Sequence, residues 1–195
     1  MPKKQDRQDK KEMPKNIVRA KELVNAIYSN DRIITFNTDQ ARELGQNSGY
    51  GSFLEDGRLQ LSYLETYYLI EKKKLHLADS RNNEVLPDSF LKKAKRHEKN
   101  FWTKYVVFRD IRNRGYIIKT ALKFGADFRV YDRGVKPGQD HAKWVLYPVG
   151  ESSNLTWHEF AAKNRVAHST KKRLLVGIVD DENDVTYYEI KWVRP

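Results

Sequence analysis

The 195-residue chain contains no cysteine. That excludes disulfides, thiolate zinc sites and cysteine nucleophiles together. Long apolar runs are missing as well. The longest, Leu174-Leu175-Val176-Gly177-Ile178-Val179, falls far short of the ~20 residues a membrane-spanning helix needs. The amino terminus is basic without an apolar stretch behind it, so it is no secretory signal, and a soluble, cytoplasmic protein is expected. There is no Walker loop, no GxGxxG after a strand and no HExxH. The carboxylates lack the D…ExK spacing with which metal-dependent nucleases hold magnesium, so neither a metal nor a cofactor is expected. Acidic residues are outnumbered: 37 Lys and Arg against 26 Asp and Glu leave +11, which favours a polyanionic partner. The 39% hydrophobic and 12% aromatic content argues for a folded chain.

Residues 1–15 are nearly all polar or charged and read as a disordered basic tail. Residues 16–98 mix short strands and helices into a small α/β domain. Arg32–Phe36 reads as a strand, and Glu55–Arg58 as a tight turn between two more. Ser62 and Glu65 form a capping box opening a helix whose last turn would hold Lys72–Lys74. A second helix is expected from Asp88 to about Lys95. Residues 99–195 change character. Asn100 is placed to cap a helix bearing Phe101, Tyr105, Phe108 and Ile111, stopped by Gly115. Strands follow at Tyr116–Lys119, Asp127–Tyr131 and Lys143–Tyr147. A helix opens on the Thr156/Glu159 capping box and ends near His168. A closing hairpin pairs Leu174–Val179 with Tyr187–Val193, where Tyr188, Ile190 and Trp192 would share a buried face. The order α-β-β-β-α-β-β predicts a mixed β-sheet flanked by helices, hence an α/β (α+β) protein of two domains. Residues 1–98 carry a net +4 and residues 99–195 a net +7, so the second half is the expected site of polyanion contact.

Acid/base chemistry has candidates in that half. Tyr131 ends a strand, His141 opens the next, and Lys171-Lys172-Arg173 opens another. Strand ends beside glycine loops are where a sheet presents chemistry to solvent. Taken singly, a tyrosine is ordinarily core, a histidine a surface residue and a KKR run a solvated face, so spacing alone does not single out the trio.

A resemblance does. KYVVFRDIRNRGYIIKTALKFGADFRVYDRG (104–134), Asp140-His141-Ala142-Lys143, Arg165–Leu174 and the ending Val185–Pro195 resemble the catalytic domain of the archaeal tRNA-splicing endonucleases, in order, through nearly all of 100–195. The first half resembles that family's amino-terminal domain more loosely, mainly around Leu61–Lys74. The length suits the family's single-unit subunit. The resemblance implies a carboxy-terminal domain of nuclease-like outline and places the catalytic tyrosine, histidine and lysine on Tyr131, His141 and Lys172. Lys172 is preferred to Lys171 because one residue then separates it from the Leu-rich strand. Ala142 departs from the serine common after the histidine, and His168 reads as structural. The implied reaction is metal-independent cleavage of precursor tRNA at a bulge-helix-bulge, with Tyr131 as base, His141 as acid and Lys172 as electrostatic stabiliser. It leaves a 2′,3′-cyclic phosphate and a 5′-hydroxyl. A free phenol, with a pKa of ~10, is mostly protonated at neutral pH, so Tyr131 as base and Tyr131 as an orienting group both stay open. The resemblance further implies an RNA-base-stacking arginine at Arg165 and a homotetramer, or a mixed-subunit complex, assembled through an acidic loop at Asp180, Asp181, Glu182 and Asp184. A noncatalytic RNA-binding subunit of such a complex is the alternative reading.

Overall fold

The computed structural model describes residues 23–193. The tail expected over 1–15 lies outside them. The first half is built on a five-stranded mixed sheet. Strands β1 (Val24–Ser29) and β2 (Arg32–Thr35) pair antiparallel through a two-residue turn. Its residues, Asn30 and Asp31, both take positive φ, the geometry that matches the twist of a hairpin. Helix α1 (Asp39–Gln46) is capped by the Thr38 hydroxyl. Strands β3 (Ser52–Phe53) and β4 (Leu59–Leu61) flank the expected turn, with Gly57 at φ +81°. Helix α2 (Tyr63–Glu71) opens on the expected reciprocal box, in which Ser62 and Glu65 satisfy each other's backbone N–H groups. It ends before Lys72–Lys74, which therefore lie beyond its last turn. Lys73 takes a left-handed conformation, and Lys73 and Lys74 close the helix by bonding back to Ile70 and Leu69. The chain then passes directly into β5 (Leu75–Asp79), which runs parallel to β1. Helix α3 (Pro87–His97) starts on a proline, which loses no hydrogen bond in the first turn.

The second half opens with α4 (Phe101–Asn113). Asn100 precedes it but does not cap it through its side chain: it sits at φ 58°, ψ 30°, left-handed, and turns the chain from α3 into α4. Asparagine tolerates that conformation better than most residues. Strands β6 (Ile117–Ala121), β7 (Ala126–Tyr131), β8 (Trp144–Gly150), β9 (Arg173–Val179) and β10 (Val185–Ile190) form the second sheet, in the order β10-β9-β8-β7-β6. Only β8 and β9 are parallel. Helix α5 (Trp157–Ser169) makes the crossover a parallel pair requires. The mixed sheet between helices is thus as expected. No described helix is long and apolar enough to cross a membrane.

The apolar spacing on α4 does its work between the halves. Phe101, Tyr105, Phe108 and Ile111 are buried in one cluster with Leu64 and Phe90 from the first half and Phe128, Val130 and Leu146 from the second. On the other face of the second sheet, Val145, Tyr147, Leu174 and Val176 pack with Ala167 of α5. The closing strand departs from expectation. Tyr188 is 56% and Trp192 49% exposed, while Val185 and Tyr187 pack onto the main core. β10 is an edge strand: of the three residues expected on a buried face, Ile190 packs against the cluster on the α5 side, Tyr188 stays exposed, and Trp192 lies past the strand end against His168.

A buried ion pair locks the halves together. The Glu65 carboxylate accepts from the backbone N–H groups of Gly51 and Ser62, each at 2.9 Å, and lies 3.5 Å from Lys119 of β6. Burial pulls the Lys119 ammonium below its usual pKa, and Glu65 opposes that shift. Removing the carboxylate leaves a buried cation uncompensated, a defect worth ~3–5 kcal/mol. Glu65→Ala should lose stability on that scale in urea unfolding; a loss under about 1 kcal/mol would show that the pair is not what joins the halves.

Candidate catalytic cavity

Alternation over the second half of β7 sends Arg129 and Tyr131 to the α5 face and Phe128 and Val130 to the main core. Tyr131 ends the strand opposite Ile117. The residue is 4% exposed, yet it lines an open cavity of about 350 Å³. His141 and Lys172 line the same cavity, with Arg129, Gln139 and Asp140.

Each reaches it by a different route. His141 does not open a strand, since β8 begins at Trp144. It sits exposed on the 132–143 loop, where its backbone N–H is held by the Asp140 carboxylate at 2.6 Å. Gly134 and Gly138, at φ +79° and +94°, let that loop double back. Its ends are fastened: Lys143 donates its backbone N–H to Val130 at 2.9 Å and its ammonium to Asp132 at 2.8 Å. The Lys143 hydrogen bond is the main cause holding the Asp132 carboxyl below its usual pKa. Ala142, the departure from the serine common after the histidine, is buried.

Lys172 occupies the turn between α5 and β9. Lys171 takes φ 54°, the Lys172 N–H returns to Ala167, and the Lys172 ammonium donates to the Thr170 carbonyl at 3.0 Å. This reversal separates the neighbouring cations. Lys172 lines the cavity, Lys171 is exposed elsewhere, and Arg173 faces across the sheet to Glu189 at 3.1 Å. The parallel register of β8 and β9 pairs Trp144 with Arg173, bringing His141 and Lys172, 31 positions apart, to one sheet end.

Arg165 is exposed on α5 and does not line the cavity. It shares a helix face with His168, three residues on, and His168 stacks edge-on against the half-exposed Trp192, ring centres 4.6 Å apart. The acidic residues form the β9–β10 turn. Asp180 is spent on the turn itself, its carboxylate accepting from the N–H groups of Glu182 and Asp184 at 3.0 and 2.8 Å. Asn183 accepts from the Trp102 indole at 2.6 Å. Asp181, Glu182 and Asp184 remain exposed. They lie at the end of β9 away from Lys172, roughly 20 Å along the strand at ~3.3 Å per residue. Sequence reasoning passed over Arg129; the signal was its i−2 spacing from Tyr131 on a strand.

Two α/β halves with a cationic cavity at the end of the second sheet, furnished with a phenol, an imidazole and an ammonium, define the protein by its parts. Residues 24–91 match the family model for the tRNA intron endonuclease N-terminal domain, and residues 101–187 that for the tRNA intron endonuclease catalytic C-terminal domain. The chain belongs to the tRNA intron endonuclease family. It is 43% identical over 166 residues to the tRNA-splicing endonuclease of Methanothermobacter thermautotrophicus, covering 85% of this chain and 95% of that one. The tRNA-splicing endonuclease of Nanoarchaeum equitans is 43% identical over 142 residues, 70% of this chain and 90% of its own. That of Pyrococcus abyssi is 36% identical over 174 residues, 89% and 99% respectively.

Proposed function

We propose that this protein is an endoribonuclease that excises introns from precursor tRNA at bulge-helix-bulge junctions, without a metal ion. The observation that carries the reading is the meeting of Tyr131, His141 and Lys172 on the wall of one cavity. RNA supplies its own nucleophile. The 2′-oxygen bonds to the adjacent phosphorus while the bond from phosphorus to the 5′-oxygen breaks, giving a 2′,3′-cyclic phosphate and a 5′-hydroxyl. The 2′-hydroxyl proton passes to Tyr131 as phenolate, and the departing oxygen takes a proton from His141 as imidazolium. The Lys172 ammonium meets the charge that grows on the phosphoryl oxygens. Incubating the purified protein with a bulge-helix-bulge RNA in EDTA tests this directly. Paired cuts with cyclic-phosphate ends are expected; uncut RNA, or cleavage only after magnesium is restored, overturns the reading and favours a noncatalytic or metal-dependent role.

Substrate gripping falls to the α5 face. Specific RNA recognition rests on unpaired bases stacked against aromatic rings or guanidinium planes. Arg165 on α5 and the half-exposed Trp192, which packs on His168 of the same helix, offer both surfaces. Arg165→Ala should weaken binding of a bulged RNA about tenfold, at ~1–3 kcal/mol per stacked base, while plain duplex binding changes little. Equal losses on the two RNAs would reduce Arg165 to a phosphate contact.

Assembly completes the proposal. The chain holds one such cavity set among its described residues, whereas freeing an intron takes two cuts. A closed homotetramer joined through the acidic turn supplies paired sites. The turn's distance from its own cavity suits a contact made in trans.

A further inference from the structure

This inference rests on the reading of the cavity as an RNA-cleaving site and extends it to a fourth residue. As the 2′-oxygen adds to phosphorus, the phosphoryl group passes from one negative charge toward two, and Lys172 supplies one positive charge. The other cations nearby are committed elsewhere. Lys143 pairs with Asp132 at 2.8 Å, Arg173 with Glu189 at 3.1 Å, and Lys119 with Gly51 and Glu65. Arg129 lines the cavity together with Tyr131, His141 and Lys172.

We infer that Arg129 is a further catalytic residue, whose guanidinium contacts a non-bridging oxygen of the scissile phosphate. It stands two residues before Tyr131 on the same face of β7, its guanidinium carbon 5.8 Å from the centre of the Tyr131 ring. Strands run on both sides of it, with Lys119 opposite on β6 and Val145 opposite on β8. A side chain rooted in the middle of a sheet is held more rigidly than one on a loop, which suits the stabilisation of a short-lived charge. Guanidinium chemistry suits the place. It holds its charge beside a second cation more firmly than an ammonium does, and its planar fork matches two oxygens at once. Arg129 exchanges no proton. The bonds made and broken, and the proton transfers through Tyr131 and His141, are unchanged.

The test uses the full-length protein and a bulge-helix-bulge RNA under single turnover, with each non-bridging oxygen at the scissile phosphate replaced in turn by sulfur. Arg129→Ala should slow cleavage at saturating protein about 10²-fold, with half-saturation shifted less than about threefold. Arg129→Lys should recover part of the rate, since it keeps the charge and loses the fork. In the wild type one sulfur diastereomer should be slowed, and in both variants that selective slowing should shrink toward none. A structural role for Arg129 would leave the sulfur effect intact. An intact effect, a normal rate at saturation, or a loss confined to half-saturation overturns the inference. Where Arg129→Ala does not fold by circular dichroism, the Arg129→Lys sulfur effect decides alone. Normal cleavage by Arg129→Ala beside an active wild type sinks only Arg129; a wild type that leaves the RNA uncut sinks the parent reading with it.

Discussion

His141→Ala is expected to slow single-turnover cleavage by about 10²-fold or more, the scale of losing a positioned general acid, while RNA binding stays within a factor of about two. The argument is geometric. His141 stands exposed on a loop tied down at Asp132 and Val130, on the cavity wall shared with Tyr131 and Lys172. Its imidazole therefore contributes little to folding, and the variant should keep the wild-type melting temperature. The defect should be confined to protonation of the departing 5′-oxygen. A substrate whose 5′-oxygen is replaced by sulfur, a better leaving group that needs no acid, should be cleaved at similar rates by variant and wild type. Lys172→Ala should match or exceed the His141 defect on both substrates, because it removes charge stabilisation instead of a proton, and Lys171→Ala should be nearly silent. Near wild-type cleavage by His141→Ala, or a Lys171 defect larger than that of Lys172, would reject the assignment.

Neutralising the acidic turn should produce a second large effect by a different cause. With Asp181, Glu182 and Asp184 changed together to Asn or Gln, the protein is expected to run as a dimer by light scattering and to lose most of its cleavage. Its melting temperature and all three cavity residues should be unchanged. Asp180 should be left out of the set. Its carboxylate holds the backbone of Glu182 and Asp184, so replacing it would disturb the turn as well as its charge. The three exposed carboxylates belong to a chain of net +11, so another copy offers them a partner by charge alone. Such a contact weakens as salt shortens the screening length to about 3 Å at 1 M, and the wild-type assembly should loosen in the same direction. A triple variant that stays tetrameric removes the turn from the interface. A wild type that remains dimeric and inactive until a different subunit is added would place it in a mixed complex.

Most of the element order follows from local signals in the chain. Both capping boxes, Ser62/Glu65 and Thr156/Glu159, open helices where they were expected, because each is satisfied by atoms within four residues. The apolar spacing on α4 and the order of strands after it determined a mixed sheet between helices for the same reason: period and order are local properties of the chain. Where a feature depended on what lies across space, local reading failed. Asn100 has the composition of a cap but spends its backbone on a left-handed turn. Lys72–Lys74 looked like a helix end, but β5 pairing with β1 pulled the chain out of the helix first. Tyr188 and Trp192 alternate like core residues, but Tyr188 lies on an edge strand and Trp192 past its end, and both stay about half exposed. The candidate site divides in the same way. Tyr131, His141 and Lys172 could be named from the sequence through resemblance, but nothing in it brings positions 131, 141 and 172 together. The antiparallel β6–β7–β8 register and the parallel crossover to β9 do that, by aligning three strand ends at one edge. The backbone reversal at Lys171 then decides which of two adjacent lysines faces the cavity. Arg129 was invisible for the converse reason. An arginine on a strand has two faces to choose from, and only the packed sheet decides which one it takes.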